Sequence, residues 1–473
     1  MVMLERTFET IWNRYDEKLV GECWAFNKGY IDFLSNAKTE REFVRDSVER
    51  AKERGFQNIR EMDSIKPGDK VYAENMDKNL FLFVIGRKPM AEGMNLLGAH
   101  VDSPRLDIKQ NPLYEDNDLC LMETHYYGGV KKYQWVAQPM ALHGVIFKEN
   151  GDRVDVVIGE DPADPVVGIS DLLIHLSQDQ MKETLAKGVK GEDLNVLVGS
   201  RPSGIKNAEN KEGKEEKEEK GTVKRYILEL LNEKYGIIEE DFVSAELQIV
   251  PAGRAREYGL DRSMVMGYGH DDRVCAYTSM EAIFDVQDPE RTTGCILVDK
   301  EEGGSQGATG MHSAFFEHLI ADIMEMKGEG SAREIRNGIM NSKMLSSDVS
   351  AAFDPNYPSV NEPKNTADFN RGICFNKYTG SGGKGGCKDA NPEFIAEIRK
   401  AMNSNNIAWQ TAELGKVDQG GGGTIAYIMG NMGMSVIDAG VPVQNMHAPW
   451  EVVSKADVYE AYRAYCVFLK EME

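Results

Sequence analysis

The stretch GCILVDKEEGGSQGATGMHSAFFEHLIADIMEMK, Gly294 to Lys327, decides the fold class. Cys295 to Val298 form a short apolar run that ends on charged residues, the pattern of a buried strand. Small residues, mostly glycine, follow. From His312 the spacing changes, and Phe316, Leu319, Ile320 and Ile323 fall on one helical face. Upstream, DDRVCAYTSMEAIFDV reads as a helix. Downstream, SKMLSSD reads as a strand, PEFIAEIRKAMN as a helix and MSVIDAG as a strand. The last helix is expected to start at Ser454, with Asp457 as its capping-box partner, and to run through Val458, Tyr462, Tyr465 and Phe468. Strand and helix in alternation argue for an α/β domain: a mixed, largely parallel central sheet flanked by helices.

Earlier in the chain, residues 5–55 read as helical, with Thr39 and Glu42 at capping-box spacing. NLFLFVIG and MNLLGAH then read as buried strands of the same sheet. Between about residues 106 and 250 the character changes. LCLMETHYYGG, ALHGVIFKENGDRVDVVIGED and AELQIVPA read as strands, the middle one a hairpin turning at Asn150-Gly151-Asp152. The polar run 208–221, AENKEGKEEKEEKG, has too little apolar surface to offset its ordering entropy and is expected to be a mobile loop. The organisation expected is a discontinuous domain, 1–105 and 251–473, with a β-rich insertion at 106–250.

The chain of 473 residues carries a net charge of −22, which repels phosphate backbones and anionic membranes. Nucleic acid and membrane are therefore excluded as expected partners. The 7 cysteines are scattered and form no CxxC pair, as free thiols in a reducing compartment do. No apolar window reaches the length of a membrane span, and the charged N-terminus does not read as a signal peptide. A cytoplasmic protein is the expectation.

In open α/β sheets, ligands bind beyond the carboxyl ends of the strands. Those ends read GAHVDS, DKEEGGS and SSDVS; GHDDRV lies where a loop enters a helix, and QNMHAPWE follows SVIDAG. Histidine and acidic residues recur at nearly every one. Imidazoles and carboxylates without cysteine suit zinc, cobalt or manganese, and a bimetallic site ionises water near neutral pH. This gives the adjacent acids Glu301 and Glu302 a rationale. One binds metal while its neighbour, pointing the other way from an extended loop, takes a proton from the water.

Each motif has a bland reading. HVD is a packed histidine beside an aspartate; DDR is a helix start with Arg273 pairing the acids; DKEEGG is a solvated turn. Asp348 is an N-cap, and His447 satisfies a carbonyl. Five such coincidences at strand ends of one domain are hard to accept together. Two other motifs are weaker. TGSGGKGGCKD (379–389) lacks the Ser or Thr after Lys384 that a phosphate loop needs, so it reads as a loop, with Lys377 and Lys384 as candidates to face the pocket. QGGGGTIAYIMG (419–430) reads equally well as close backbone packing or as exposed amides for a substrate carbonyl. No G-x-S-x-G elbow is present.

The set GAHVDSPRLDIK, GHDDRVCAY, DKEEGGSQGA, SSDVSAAFDPNYP and MHAPWEV resembles the aspartyl aminopeptidase (aminopeptidase I) family of dizinc metallopeptidases in its bacterial form, in the family's order and over nearly the whole chain. The resemblance implies His100, Asp271 and Glu302 on one zinc, and Asp271, Asp348 and His447 on the other, with Asp271 bridging and Asp272 supporting. Glu301 would be the general base, and Asp102 would orient the His100 ring. The implied reaction is removal of an N-terminal residue from a peptide, and the implied assembly is a homo-oligomer, commonly a dodecamer, built by the 106–250 insertion. Better-known members carry His where Asp354 stands, and select acidic residues with a basic residue and a histidine from a neighbouring subunit. His143 is the candidate for that histidine. Rival expectations are a deacylase or carboxypeptidase on the same scaffold, and a non-catalytic peptide-binding oligomer.

Overall fold

A computed structural model describes residues 8–204 and 222–472. The expected polar loop 208–221 lies outside the described residues. The chain divides into two compact units, one of Met1–Ser103, Ala255–Met446 and Trp450–Glu473, the other of Pro104–Arg254 and His447–Pro449.

The larger unit is built on a nine-stranded sheet. Its strands in chain order are β1 (Gln57–Asn58), β2 (Lys70–Asn75), β3 (Asn79–Val84), β4 (Asn95–His100), β5 (Thr293–Val298), β6 (Lys343–Ser346), β7 (Ile373–Asn376), β8 (Trp409–Thr411) and β9 (Ser435–Gly440). Across the sheet they run β1-β2-β3-β5-β4-β6-β9-β7-β8. The four at the centre, β5, β4, β6 and β9, are mutually parallel, with antiparallel neighbours β3 and β7 on either side. Parallel strands are buried on both faces, and alternate residues here feed two cores. Leu97, Leu297, Leu345 and Ile437 join Phe33 and Phe43 of helices α1 (Glu17–Asn36) and α2 (Glu40–Glu53), Tyr277 of α3 (His270–Phe284) and Phe468 of the C-terminal helix. Leu96, Ile296, Met344 and Val436 join Phe316 and Ile320 of α4 (Phe315–Lys327) and Ile428 of α5 (Ala426–Asn431). A sheet covered on both faces leaves its strand ends as the place where polar side chains gather. A second, five-stranded sheet, with strands from 256–267, 350–351 and 442–454, completes this unit.

The smaller unit carries a six-stranded sheet whose pairs are all antiparallel. Met140–Phe147 pairs with Arg153–Ile158 as the hairpin expected from the sequence, with Gly151 at φ 88° in its turn. Helix Thr222–Tyr235 also belongs to this unit.

Local signals fared unevenly. The Thr39–Glu42 capping box forms. The Ser454–Asp457 box does not: Ser454 Oγ donates to Asn370 Oδ1 (2.7 Å), and Asp457 accepts the N–H groups of Asn370 and Gly372 (2.7 Å each). Both side chains are committed to a loop more than eighty residues upstream, so the tertiary contact displaces the local one.

Candidate metal centre

Four segments bring acids and an imidazole to the carboxyl edge of the parallel strands. β4 ends on His100, β5 leads into Glu301 and Glu302, β6 leads into Asp348, and α3 opens with Asp271 and Asp272. Asp271 (φ −81°, ψ 105°) and Asp272 (φ −118°, ψ 25°) are not helical, and the peptide between them is cis. The helix proper starts beyond them.

One ligand atom from each of His100, Asp271 and Glu302 lies within 4.8 Å of the others, and the same holds for His100, Asp272 and Asp348. His100, Asp271 and Asp272 are buried, at no more than 3% exposure. His100 Nδ1 donates to the Asp102 carbonyl (3.0 Å) and lies 3.3 Å from the Asp102 carboxylate. That fixes Nε2 as the lone-pair nitrogen, and it faces Asp271 Oδ1 at 3.2 Å.

Asp102 does more than orient this ring. Its two carboxylate oxygens accept the N–H groups of Glu301 and Glu302, each at 3.1 Å. The two glutamates sit on one turn of 3₁₀ helix, Glu301–Gly303, after Lys300 at φ 71°. This corrects the expected extended loop. Three residues per turn still send successive side chains about 120° apart. Glu302 joins the His100–Asp271 group, whereas Glu301 Oε2 stays 3.9 Å from His100 Nε2.

Electrostatics fit a cationic occupant. Burial, with Asp272 next to it, pushes the Asp348 carboxyl well above its ordinary range, and burial does the same to Asp272. Burial pushes Glu301 up to about 8, opposed by His100 and reinforced by Glu302. Asp272 Oδ2 accepts the His100 N–H (3.3 Å), while its buried Oδ1 has no hydrogen-bond partner among the described residues. Buried carboxylates crowded on one imidazole ionise together only beside positive charge. Imidazole nitrogen and carboxylate oxygen donors, with no thiolate, are a borderline-to-hard divalent set. The residues present therefore fit zinc.

The remaining candidates fall elsewhere. His447 belongs to the segment assigned to the smaller unit, where its Nδ1 donates to the Gly129 carbonyl (2.8 Å) and so leaves the lone pair on Nε2. His143 is 3% exposed, with Nε2 3.1 Å from Glu160 Oε1. A buried, paired ring is no candidate to reach a neighbouring subunit. Asp354 accepts the Asn356 N–H (2.8 Å) and closes a turn. Lys377 and Lys384 both pair with Asp389, at 3.7 and 3.0 Å. Arg273 donates to the carbonyls of Val101 and Lys38, not to the neighbouring acids. In the glycine run, a side chain at Gly420 would lie 1.7 Å from the Leu414 carbonyl, and Gly421 sits at φ 126° against Ser381. Those two glycines are there for close packing. Sequence reasoning missed Glu451, which is 1% exposed and accepts the Asp271 N–H (3.0 Å). Its only signal is an acid opening the apolar run EVV.

Residues 33–469 match the family model "Aminopeptidase I zinc metalloprotease (M18)". The chain belongs to the M18 family. A probable M18 family aminopeptidase 1 of Clostridium acetobutylicum is 56% identical over 470 residues, covering 98% of this chain and 99% of that protein. The crystal structure of an M18 aminopeptidase from Thermotoga maritima superposes with TM-score 0.93 at 40% identity, covering 99% of this chain and 100% of that one. The S. cerevisiae mApe1 dodecamer shares the fold at 18% identity, with TM-score 0.74, covering 94% of this chain and 96% of that one. The M18 membership makes this chain a zinc metallo-aminopeptidase, a hydrolase of peptide bonds. The rival scaffolds, a deacylase, a carboxypeptidase or a non-catalytic binder, find no support in these relatives.

Proposed function

We propose that the M18 site of this chain works with two divalent ions, zinc by donor chemistry, with cobalt or manganese as substitutes. His100, Asp271 and Glu302 would hold one ion. Asp271, Asp348 and His447 would hold the other, with Asp271 shared and Asp272 supporting. When bound, the ion pair supplies Lewis acidity to a scissile carbonyl and to the attacking water. Glu301 takes the proton from that water and returns it to the leaving amine. Asp102 keeps Glu301 and Glu302 on their diverging paths and holds the His100 tautomer. The observation that carries the reading is this double acceptance by Asp102, which separates a base from a ligand in adjacent residues.

The experiment is metal content together with hydrolysis of a panel of aminoacyl amides, for wild type and Glu301→Gln. The variant is expected to keep its metal and lose turnover. Surviving turnover would remove Glu301 as base; lost metal would make it a ligand. The panel also decides the finer expectation, a preference for acidic N-terminal residues. Lys377 and Lys384 are the basic candidates for it, and both are occupied by Asp389.

A homo-oligomer, the dodecamer being the expected form, is supported by the smaller unit. Leu172, Leu173, Ile174, Leu176, Met181 and Leu185 form an exposed apolar run, with Ile174, Leu176 and Met181 at 68–71% exposure. Single chains rarely present so much apolar surface in one place. The native mass of the purified protein measures the assembly. A cytoplasmic location accords with seven free cysteines, and no helix among the described residues is long and apolar enough to cross a membrane.

A further inference from the structure

The glycine run 420–423 and the loop 377–389 meet at a buried polar cluster that the proposed reaction does not use. Asp438, on β9, is 3% exposed. Ser346, its neighbour in register on β6, is fully buried. Thr424 Oγ1 donates to Asp438 Oδ1 at 2.7 Å. Lys388 Nζ is buried with no hydrogen-bond partner among the described residues, and its stem crosses Gly430, where a Cβ would meet Lys388 Cδ at 3.4 Å. Burial pushes this lysine down to about 8, with Asp438 the first charge to oppose the shift. These groups stand on the face of the sheet otherwise filled by Met344, Val436 and Ile425, where polar atoms are costly without a role.

The cluster is a junction. Thr424 closes the four glycines and leads into α5. The Gly422 N–H donates to the Thr379 carbonyl (2.8 Å), which joins the glycine run to the loop that carries Lys388. Ser346 stands two residues before Asp348. Tyr427 of α5 shares a 2.9 Å hydrogen bond with His312, in the segment that follows Glu302. The glycine run is thus tied to the strand that delivers Asp348 and to the loop that delivers the two glutamates. A side chain at Gly423 would meet nothing within 4 Å.

We propose that Asp438, Thr424 and Lys388 are positioning residues for the aminopeptidase reaction, holding the glycine run as a fixed wall that meets the peptide at Gly423. The inference rests on the reading of the site given above. Four consecutive glycines are conformationally loose, and a loose wall binds substrate at an entropic cost that fixed geometry avoids. A hydroxyl bound to a buried carboxylate, with an ammonium beside it, supplies the anchor.

The test is steady-state kinetics of Thr424→Val, Thr424→Ser and Lys388→Met on the amide that wild type turns over fastest, with metal content and Tm measured beside it. Thr424→Val is expected to raise KM about tenfold, the loss of one charge-assisted hydrogen bond. Its kcat is expected to stay within about twofold of wild type. Metal content stays level, Thr424→Ser restores KM, and Lys388→Met raises KM in the same direction. Should Thr424→Val not fold, Lys388→Met decides alone. Wild-type KM in the folded variants, or a fall in Tm with KM unmoved, overturns the proposal. A wild type inert toward every amide overturns the reading of the site as well, so the two failures are told apart.

Discussion

Two glycine-rich, charged segments leave strands of the same sheet, and they differ in what their charges meet. The turn after β5 places Glu301 and Glu302 beside His100, with a third carboxylate, Asp102, holding both of their N–H groups. The loop after β7 places Lys377 and Lys384 against Asp389, with every member of the trio 44–49% exposed. In sequence the β7 loop is the more suggestive of the two, since it resembles a phosphate loop. In space its charges are balanced and screened by water, while Glu301 and Glu302 of the β5 turn are like-signed and half-buried. Unbalanced charge withdrawn from water, not charge density, marks the reactive place.

The largest break in that comparison is Glu301→Gln. It removes the titrating carboxyl, whose pKa burial and Glu302 push up to about 8, while leaving the turn in place. Turnover is expected to fall by about 10²–10⁴-fold, the usual contribution of a general base. Metal content, read by mass spectrometry of the native protein, stays at the wild-type value.

Asp102→Asn comes next. It keeps the size of the side chain but turns one of the two acceptors of the Glu301 and Glu302 N–H groups into a donor. Metal affinity is expected to fall about 10–100-fold, the range for residues that orient metal ligands. Competition with a chelator measures it. An affinity equal to wild type would mean that Asp102 orients nothing.

How much of this was legible in the sequence follows from the range of each interaction. The strand ends were legible because apolar runs stopping at His100 and before Glu301 and Asp348 are local patterns. The Thr39–Glu42 box and the turn at Asn150-Gly151-Asp152 were legible for the same reason. The Asp102 clamp was not, since it reaches across 199 and 200 residues. Nor was Glu451, which meets Asp271 from 180 residues away. The Ser454–Asp457 box failed because both side chains found distant partners. The five-stranded sheet gave no signal because its strands come from three separate stretches and are two to four residues long. The lysines of loop 377–389 read as pocket-facing because their neutralising partner, Asp389, gives no sign in sequence of facing them.

Asp457 sharpens the comparison as a buried carboxyl away from the metal centre. Burial raises it to about 7, against the N–H groups of Gly372 and Asn370, which lower it. Its unfolded value is near 3.9, so the folded state binds the proton more tightly. The associated stability is complete below about pH 4 and is lost as pH rises through about 7. Asp457→Asn is expected to flatten that slope in Tm measured between these limits, in metal-loaded protein. An unchanged slope would assign the titration to other groups.

The smallest effect is expected at Asp389→Asn, which unbalances the β7 loop without burying it. Releasing Lys377 and Lys384 leaves two exposed cations in water, where an ion pair contributes about 0–1 kcal/mol and salt screens what remains. The ratio of hydrolysis rates for an acidic over a leucyl amide should therefore shift by less than about fivefold, the factor that 1 kcal/mol allows, and the shift should vanish at high salt. A larger shift that persists in salt would mean that these lysines reach the substrate in a dry site. The contrast between the two segments would then reduce to which one happens to be neutralised.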